Sequence, residues 1–198
     1  TVPGNMSYQQ WYETYVKGNA QAEANQRREQ HRVPDRKQYD RFRRILGTKA
    51  PKTFAEFQNV KYNIDSTGWD ALQLDVQDTV IQTNIRAGKY PLNIREGKLQ
   101  GQHLLGSPWR VPEKSYFLKD LQVEDLEQIV RRYAGHGQLE HGRNYPTQIR
   151  EIVDAGRIVG YTLNAEGILV ATSKVKIHYS KKGVHLVPFS GGDNGDST

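Results

Sequence analysis

The chain has 198 residues, 36% of them hydrophobic and 25% charged, with a formal net charge of +6 and no cysteine. That length supports one well-buried domain, or a compact domain with a helical arm, and the missing cysteines exclude disulfide frameworks, thiol nucleophiles and thiolate zinc sites. No apolar run approaches the roughly 20 residues needed to span a bilayer, and the basic balance favours anionic partners, nucleic acid ahead of membrane because no strongly apolar helix face accompanies the charge.

The opening TVPGNMSYQQW has neither an initiator methionine nor a basic segment followed by an apolar core. No signal peptide is read there, and the chain is expected to be a processed or excised fragment. Ser7 and Gln10 have capping-box spacing, and Trp11, Tyr15 and Val16 give a short helix an apolar face that ends near Gly18. From Asn19 to His31 large apolar residues are almost absent, so the stretch is a solvated helix or a linker, interrupted at Pro34. Tyr39, Phe42, Ile45 and Leu46 then recur at helical spacing up to Gly47. The arginines from Arg27 to Arg44 are interleaved with Glu29, Asp35 and Asp40, the pattern of a solvated mixed-charge helix rather than an RNA clamp. Thr53 and Glu56 open another short helix, and Trp69, Leu72, Val76 and Val80 stripe a longer one to about Ile85.

Gly88 and Pro91 mark a break, taken as the boundary between a helical region, 1–90, and a second domain, 91–190. An irregular stretch leads to a helix from Val123 to Ala134, stopped by Gly135, and then to a Gly- and His-rich loop. Strands are expected over Arg157–Leu163, Ile168–Ser173, Val175–Tyr179 and Val184–Phe189, forming an antiparallel meander, with a disordered tail over 191–198. The fold class is therefore α+β: a helical N-terminal arm, then a small domain with a helical segment on a four-stranded antiparallel sheet.

Of six histidines, His103, His136, His141, His178 and His185 lie in the second domain. In IHYSKKGVHLVPF, a four-residue loop over Ser180–Gly183 pairs Tyr179 with Val184 and His178 with His185, putting Lys176, His178 and His185 on one face. A three-residue loop with a bulge would instead send the two histidines to opposite faces. Two imidazoles beside a lysine suit RNA cleavage by its own 2′-hydroxyl, which needs a base, an acid and cations for the charge developing on phosphorus. Tyr179 reads first as core, and the hydroxyls of Thr172 and Ser173 as candidate phosphate contacts. Lys98 and His103 share a Gly-rich stretch, KLQGQHLLGS, whose backbone can approach a phosphate closely. The rival chemistry is zinc, but no HExxH pattern occurs and His136 and His141 lack a third ligand, so neither a metal nor another cofactor is expected. No Walker loop, dinucleotide fingerprint or GxSxG elbow is present.

GKLQGQHLLGS, RRYAGHGQ, EIVDAGRIVGYTL and IHYSKKGVHLVPF together resemble the polymorphic toxin type 50 domain, found at the C-termini of phage MuF-type head-morphogenesis proteins and in other bacterial toxins. The resemblance spans roughly Ile94 to Phe189. It departs from the family where Leu99 separates Lys98 from the glutamine that follows. It implies the fold shared by barnase, EndoU, colicin and RelE nucleases, a metal-independent ribonuclease, and active-site matches at Lys98, His103, Thr172, His178 and His185. By analogy, transfer RNA is a common substrate in related toxins. NMSYQQWYETYV and KTFAEFQNVKY resemble the connecting region that precedes such domains, implying a delivery arm with a phage head portion upstream.

The expected activity is thus a toxin endoribonuclease, with His103 and one of His178 or His185 as acid and base, Lys98 and Lys176 stabilising charge, and Ser173, Lys176, Tyr179 and Lys181 contacting substrate. Its expected partners are RNA and a cognate immunity protein with an acidic surface. Delivery by a virion or secretion system would take it to the cytoplasm of a target bacterium. A non-catalytic RNA-binding module and a phage structural segment with a degenerate toxin domain are the alternatives the sequence leaves open.

Overall fold

The structure, a computed structural model, describes residue 4 and residues 6–191. The expected tail lies outside these residues apart from Gly191. The chain forms two compact units, Thr1–Val80 and Ile81–Thr198.

In the first unit, α1 (Tyr8–Trp11), a π-helical turn (Tyr12–Lys17) and α2 (Gly18–Gln30) follow one another without a break. The Ser7–Gln10 capping box is present. Gly18, expected to end the first helix, has φ −60° and ψ −46° and continues it, because glycine takes the right-handed helical conformation when nothing favours a left-handed cap. Only Ala24 of α2 is buried, so this is the solvated helix of the two readings. The interruption falls at His31 (φ −103°, ψ 13°) rather than Pro34. Pro34 lies in the first turn of α3 (Arg32–Leu46), where its missing N–H leaves no helical bond unmade. Thr53 and Glu56 cap α4 (Phe54–Lys61) reciprocally, and α5 (Thr67–Arg86) follows. Tyr39, Phe42, Leu46, Phe57, Leu72 and Val76 make the core, with Trp69 stacked on Phe42 at 5.7 Å. Asp35 is buried with it, accepting hydrogen bonds from Lys61 Nζ (2.7 Å), Tyr62 Oη (2.8 Å) and Gln58 Nε2 (3.1 Å).

The last turns of α5 belong to the second unit, whose core includes Ile81 and Ile85. Its elements are α6 (Lys98–Gly101), β1 (Tyr116–Phe117), α7 (Val123–Tyr133), β2 (Gln138–Leu139), β3 (Arg150–Asp154), β4 (Gly160–Leu163), β5 (Leu169–Thr172), β6 (Lys174–Ser180) and β7 (Gly183–Phe189). Two antiparallel sheets result, a four-stranded one in the order β2-β3-β6-β7 and a three-stranded one in the order β1-β4-β5. Leu126, Ile129 and Val130 of α7 share one core with Val153, Val175, Ile177, Val184 and Leu186 of the larger sheet.

The α+β class and the four-stranded antiparallel sheet are as expected, but the expected strands do not form one meander. The strands over 157–163 and 168–173 belong to the smaller sheet, and β2 and β3 take their place beside β6. Within β3, Arg150 and Glu151 interrupt the apolar alternation that marks a strand. Glu151 is nevertheless wholly buried, because Gly135 N–H (2.9 Å), Gly137 N–H (2.6 Å) and Tyr179 Oη (2.5 Å) all donate to its carboxylate.

The outer edge of β7 is closed by residues 93–100. Val184 N–H donates to Asn93 O (2.9 Å), Arg95 N–H donates to Val184 O (2.7 Å), and the side-chain amide of Gln100 pairs with both backbone groups of Leu186 (2.8 and 3.0 Å). Asn93 packs so closely on Gly183, at φ +124°, that no Cβ would fit. This strap leads the chain past α6 and delivers His103 beside the sheet.

Candidate active site

The register of the β6–β7 hairpin decides the site. Tyr179 pairs with Val184 and His178 with His185, the arrangement of the four-residue reading, and Ser180 also pairs with Gly183 so that Lys181 and Lys182 alone form the turn. The bulged alternative is excluded. Alternation then buries Val175, Ile177, Val184 and Leu186 on one face and leaves Lys176, His178 and His185 on the other.

The histidine pair is part of a longer row. Across the next strand His178 pairs with Arg150. Beyond it, Glu140 N–H donates to Arg150 O (2.9 Å), extending the β2–β3 ladder by one residue. Glu140, Arg150, His178 and His185 therefore form a single rung across four strands, with all four side chains on the same face. The imidazoles of His178 and His185 lie 4.4 Å apart, centroid to centroid, at 34°. The Nε2 atom of His178 is buried without a hydrogen-bond partner.

His103 lies at the β7 end of the rung and is 1% exposed. Its Nδ1 is 2.8 Å from Ser115 O. A carbonyl only accepts, so that contact places the neutral ring's proton on Nδ1 and leaves Nε2 with the lone pair. Phe117 N–H donates to His103 O (2.9 Å) and fixes its backbone.

Burial, reinforced by the electrostatic influence of neighbouring His185, Arg150, Lys176 and His103, pulls His178 down from 6.5 to about 2. Burial, followed by the electrostatic influence of His103, Arg95, Arg150 and Lys114, takes His185 to about 4. Both rings are neutral near pH 7. At the other end of the rung, burial opposes ionisation of Glu140, but the hydrogen bond and charge of Lys176, then those of Arg150, hold its carboxyl below the usual carboxylate range. Lys176 Nζ reaches Glu140 Oε1 at 2.7 Å from the adjacent rung, lying 4.3 Å from the centre of the Phe189 ring.

Of the residues singled out from sequence, His103, His178, His185 and Lys176 are brought together. The others are not. Thr172 closes the smaller sheet, its hydroxyl donating to Phe189 O (2.5 Å) and accepting from Lys174 N–H (3.0 Å). The Ser173 hydroxyl hydrogen bonds to Asp154. Tyr179 is on the opposite face, committed to Glu151, which with burial raises its hydroxyl's pKa. Lys181 is exposed on the turn and Lys98 at the start of α6. His136 and His141 are also exposed, His141 against the Tyr145 ring at 4.9 Å. Sequence reasoning missed Glu140, Arg150, Arg95 and Lys114. Alternation in REIVD, which puts Arg150, Ile152 and Asp154 on one side, is the signal that would have placed Arg150.

Three imidazoles among Arg95, Lys114, Arg150 and Lys176 combine groups able to move a proton with positive charge able to attract an anion. Among the described residues, no three His, Cys, Asp or Glu side chains are placed to hold a metal ion, and no helix is long and apolar enough to cross a membrane. No curated protein matches the chain. Residues 94–188 match the family model described as bacterial toxin 50. Every residue of the rung, and His103, falls inside that segment, and this part of the chain is accordingly a polymorphic-toxin domain of the bacterial toxin 50 family.

Proposed function

We propose that the second domain is a metal-independent endoribonuclease. The observation that carries this reading is the His178–His185 pair, 4.4 Å between ring centres, with His103 beside it and oriented by Ser115. In the proposed reaction, His103 Nε2 takes the proton of the RNA 2′-hydroxyl as that oxygen bonds to phosphorus. The bond from phosphorus to the 5′-oxygen breaks, and a proton from the His178–His185 pair goes to the departing oxygen. The products are a 2′,3′-cyclic phosphate and a 5′-hydroxyl. The pair is neutral in the free protein, so the negative phosphate, once bound, is what draws the acid's proton onto it. Lys176 stabilises the charge on phosphorus, and Lys98 adds attraction for the RNA backbone.

As a toxin of this kind, the domain would be delivered by a virion or secretion system and act on RNA, transfer RNA included, in the cytoplasm of a target bacterium. The helical N-terminal region would serve as the delivery arm behind a phage head portion, and an immunity protein with an acidic surface would cover the cationic face in the producing cell. The test is RNA cleavage by the purified chain in EDTA: full rate for wild type, and loss in His103→Ala and His178→Ala. Undiminished cleavage by both variants overturns the assignment. Sequencing the RNA ends made during brief expression in bacteria identifies the RNA cut.

A further inference from the structure

The cations next to the histidine pair are already engaged. Glu140 Oε1 accepts from Lys176 Nζ at 2.7 Å, and Glu140 Oε2 lies 3.4 Å from Arg150 Nη1. The carboxylate thus spreads its two oxygens over two cations, as the non-bridging oxygens of a phosphodiester would. On the same rung, immediately beyond Arg150, is His178 with its unpartnered Nε2. The Arg150 contact is longer than the roughly 2.7–2.9 Å of a tight charge-assisted bond. Both members of that pair keep 27% of their side-chain surface exposed, so an arriving anion can reach them. Lys176 is deeper, at 15%, and keeps the aromatic face of Phe189 whichever anion it meets.

We infer that Arg150 is a phosphate-binding residue of this site and that Glu140 is its exchangeable counter-ion, giving up Arg150 and Lys176 to the phosphate when the substrate binds. The inference takes its substrate class from the nuclease reading. A carboxylate fixed beside the cations makes the site refuse weak or diffuse anions, which cannot outcompete it, and admit a phosphate that also satisfies His178. Glu140 then sets affinity for the anion and acts through Arg150 and Lys176, without itself moving a proton.

The test uses the full chain and inorganic phosphate, followed by the imidazole carbon-bound proton signals of His178 and His185. Glu140→Gln removes the charge but keeps an oxygen for Lys176, and is expected to bind phosphate about tenfold more tightly. Glu140→Asp, which keeps the charge, is expected to stay near wild type. Arg150→Gln is expected to weaken phosphate about tenfold and to shrink the gain from Glu140→Gln when the two are combined. With RNA as substrate, Glu140→Gln should lower KM by more than it changes kcat. Unchanged phosphate affinity in both Glu140→Gln and Arg150→Gln overturns the exchange. So does a collapse of kcat in Glu140→Gln at unchanged phosphate affinity, the result expected of a general base. Should Glu140→Gln fail to fold, Arg150→Gln decides alone: weaker phosphate binding supports the inference and undiminished binding refutes it. Failure of the nuclease reading is separate, because it appears as RNA cleavage that survives the histidine substitutions while the phosphate titration still reads out.

Discussion

Acidification should loosen the second unit through two side chains, and the structure gives the size of the effect. In an unfolded chain each imidazole titrates near 6.5, whereas in the fold His178 lies at about 2 and His185 at about 4. Below about pH 6.5 the unfolded chain therefore binds protons that the native chain refuses. The stability is fully present above that value and is lost as the pH falls toward the native values. At about pH 5 the loss is about 2 kcal/mol for each ring and about 4 kcal/mol together, against a total of about 5–15 kcal/mol for a typical domain. Stopping at about pH 5 leaves Glu140, held below its ordinary range, largely ionised, so its own loss of stability begins only on further acidification. Native-state hydrogen exchange of the β6 and β7 amides, corrected for the intrinsic pH dependence, measures this in the intact chain. Wild type should lose about 4 kcal/mol of opening free energy between about pH 7.5 and pH 5, and His178→Gln about half of that. Equal losses in the two proteins, or none in either, would refute the claim that the rings are held neutral by burial among cations. Phosphate in the buffer should reduce the loss, since an anion at the rung favours the charged rings.

Four other outcomes follow from the same contacts. Glu151→Gln exchanges a carboxylate with three donors for an amide that presents one acceptor oxygen, so the second unit should lose about 3 kcal/mol, seen as a lower urea midpoint. Gln100→Leu leaves both backbone groups of Leu186 unpaired and should cost about 2 kcal/mol, with faster exchange of the Leu186 amide. Gly183→Ala imposes a side chain at φ +124° against Asn93, and should free the strap and expose the Val184 amide to exchange. Asp35→Asn removes the charge facing Lys61 in a buried cluster, and should cost about 3 kcal/mol in the first unit while amide protection in β6 and β7 is unaffected.

What the sequence revealed depended on whether a residue's neighbours in the chain were also its neighbours in space. The capping boxes at Ser7 and Thr53, the stop at Gly47 and the helix α7 are local and were legible, and the hairpin register is one of the two the sequence left open. The end of the first helix and the start of α3 were misplaced because Gly18 and Pro34 are compatible with helix in the positions they occupy. The larger sheet was harder. β2 is two residues long, β3 begins with two charged residues, and the hairpin of β4 and β5 falls between β3 and its partner β6. The smaller sheet also misled from the other side, since Ile168, Leu169 and Val170 look like core and are 61%, 49% and 37% exposed.

The same difference explains which half of the site could be read. His178, His185 and Lys176 are joined by one short turn, so alternation along two strands placed them together in one of the two registers the sequence left open, the one the structure has. Glu140 and Arg150 reach the rung only through the pairing of β3 with β6, and Glu151, the very residue that disguises β3, ties that strand to β6 through Tyr179. Successive residues in a strand point to opposite faces. Glu151 is therefore held beneath the sheet by Gly135, Gly137 and Tyr179 while Arg150 is presented above it beside His178. The buried carboxylate and the proposed phosphate contact are thus two sides of one backbone position. Glu151→Ala should accordingly weaken phosphate binding as well as stability, although no atom of Glu151 touches the rung. An alanine variant that unfolds more easily but binds phosphate as tightly as wild type would show that β3 keeps its register without the carboxylate.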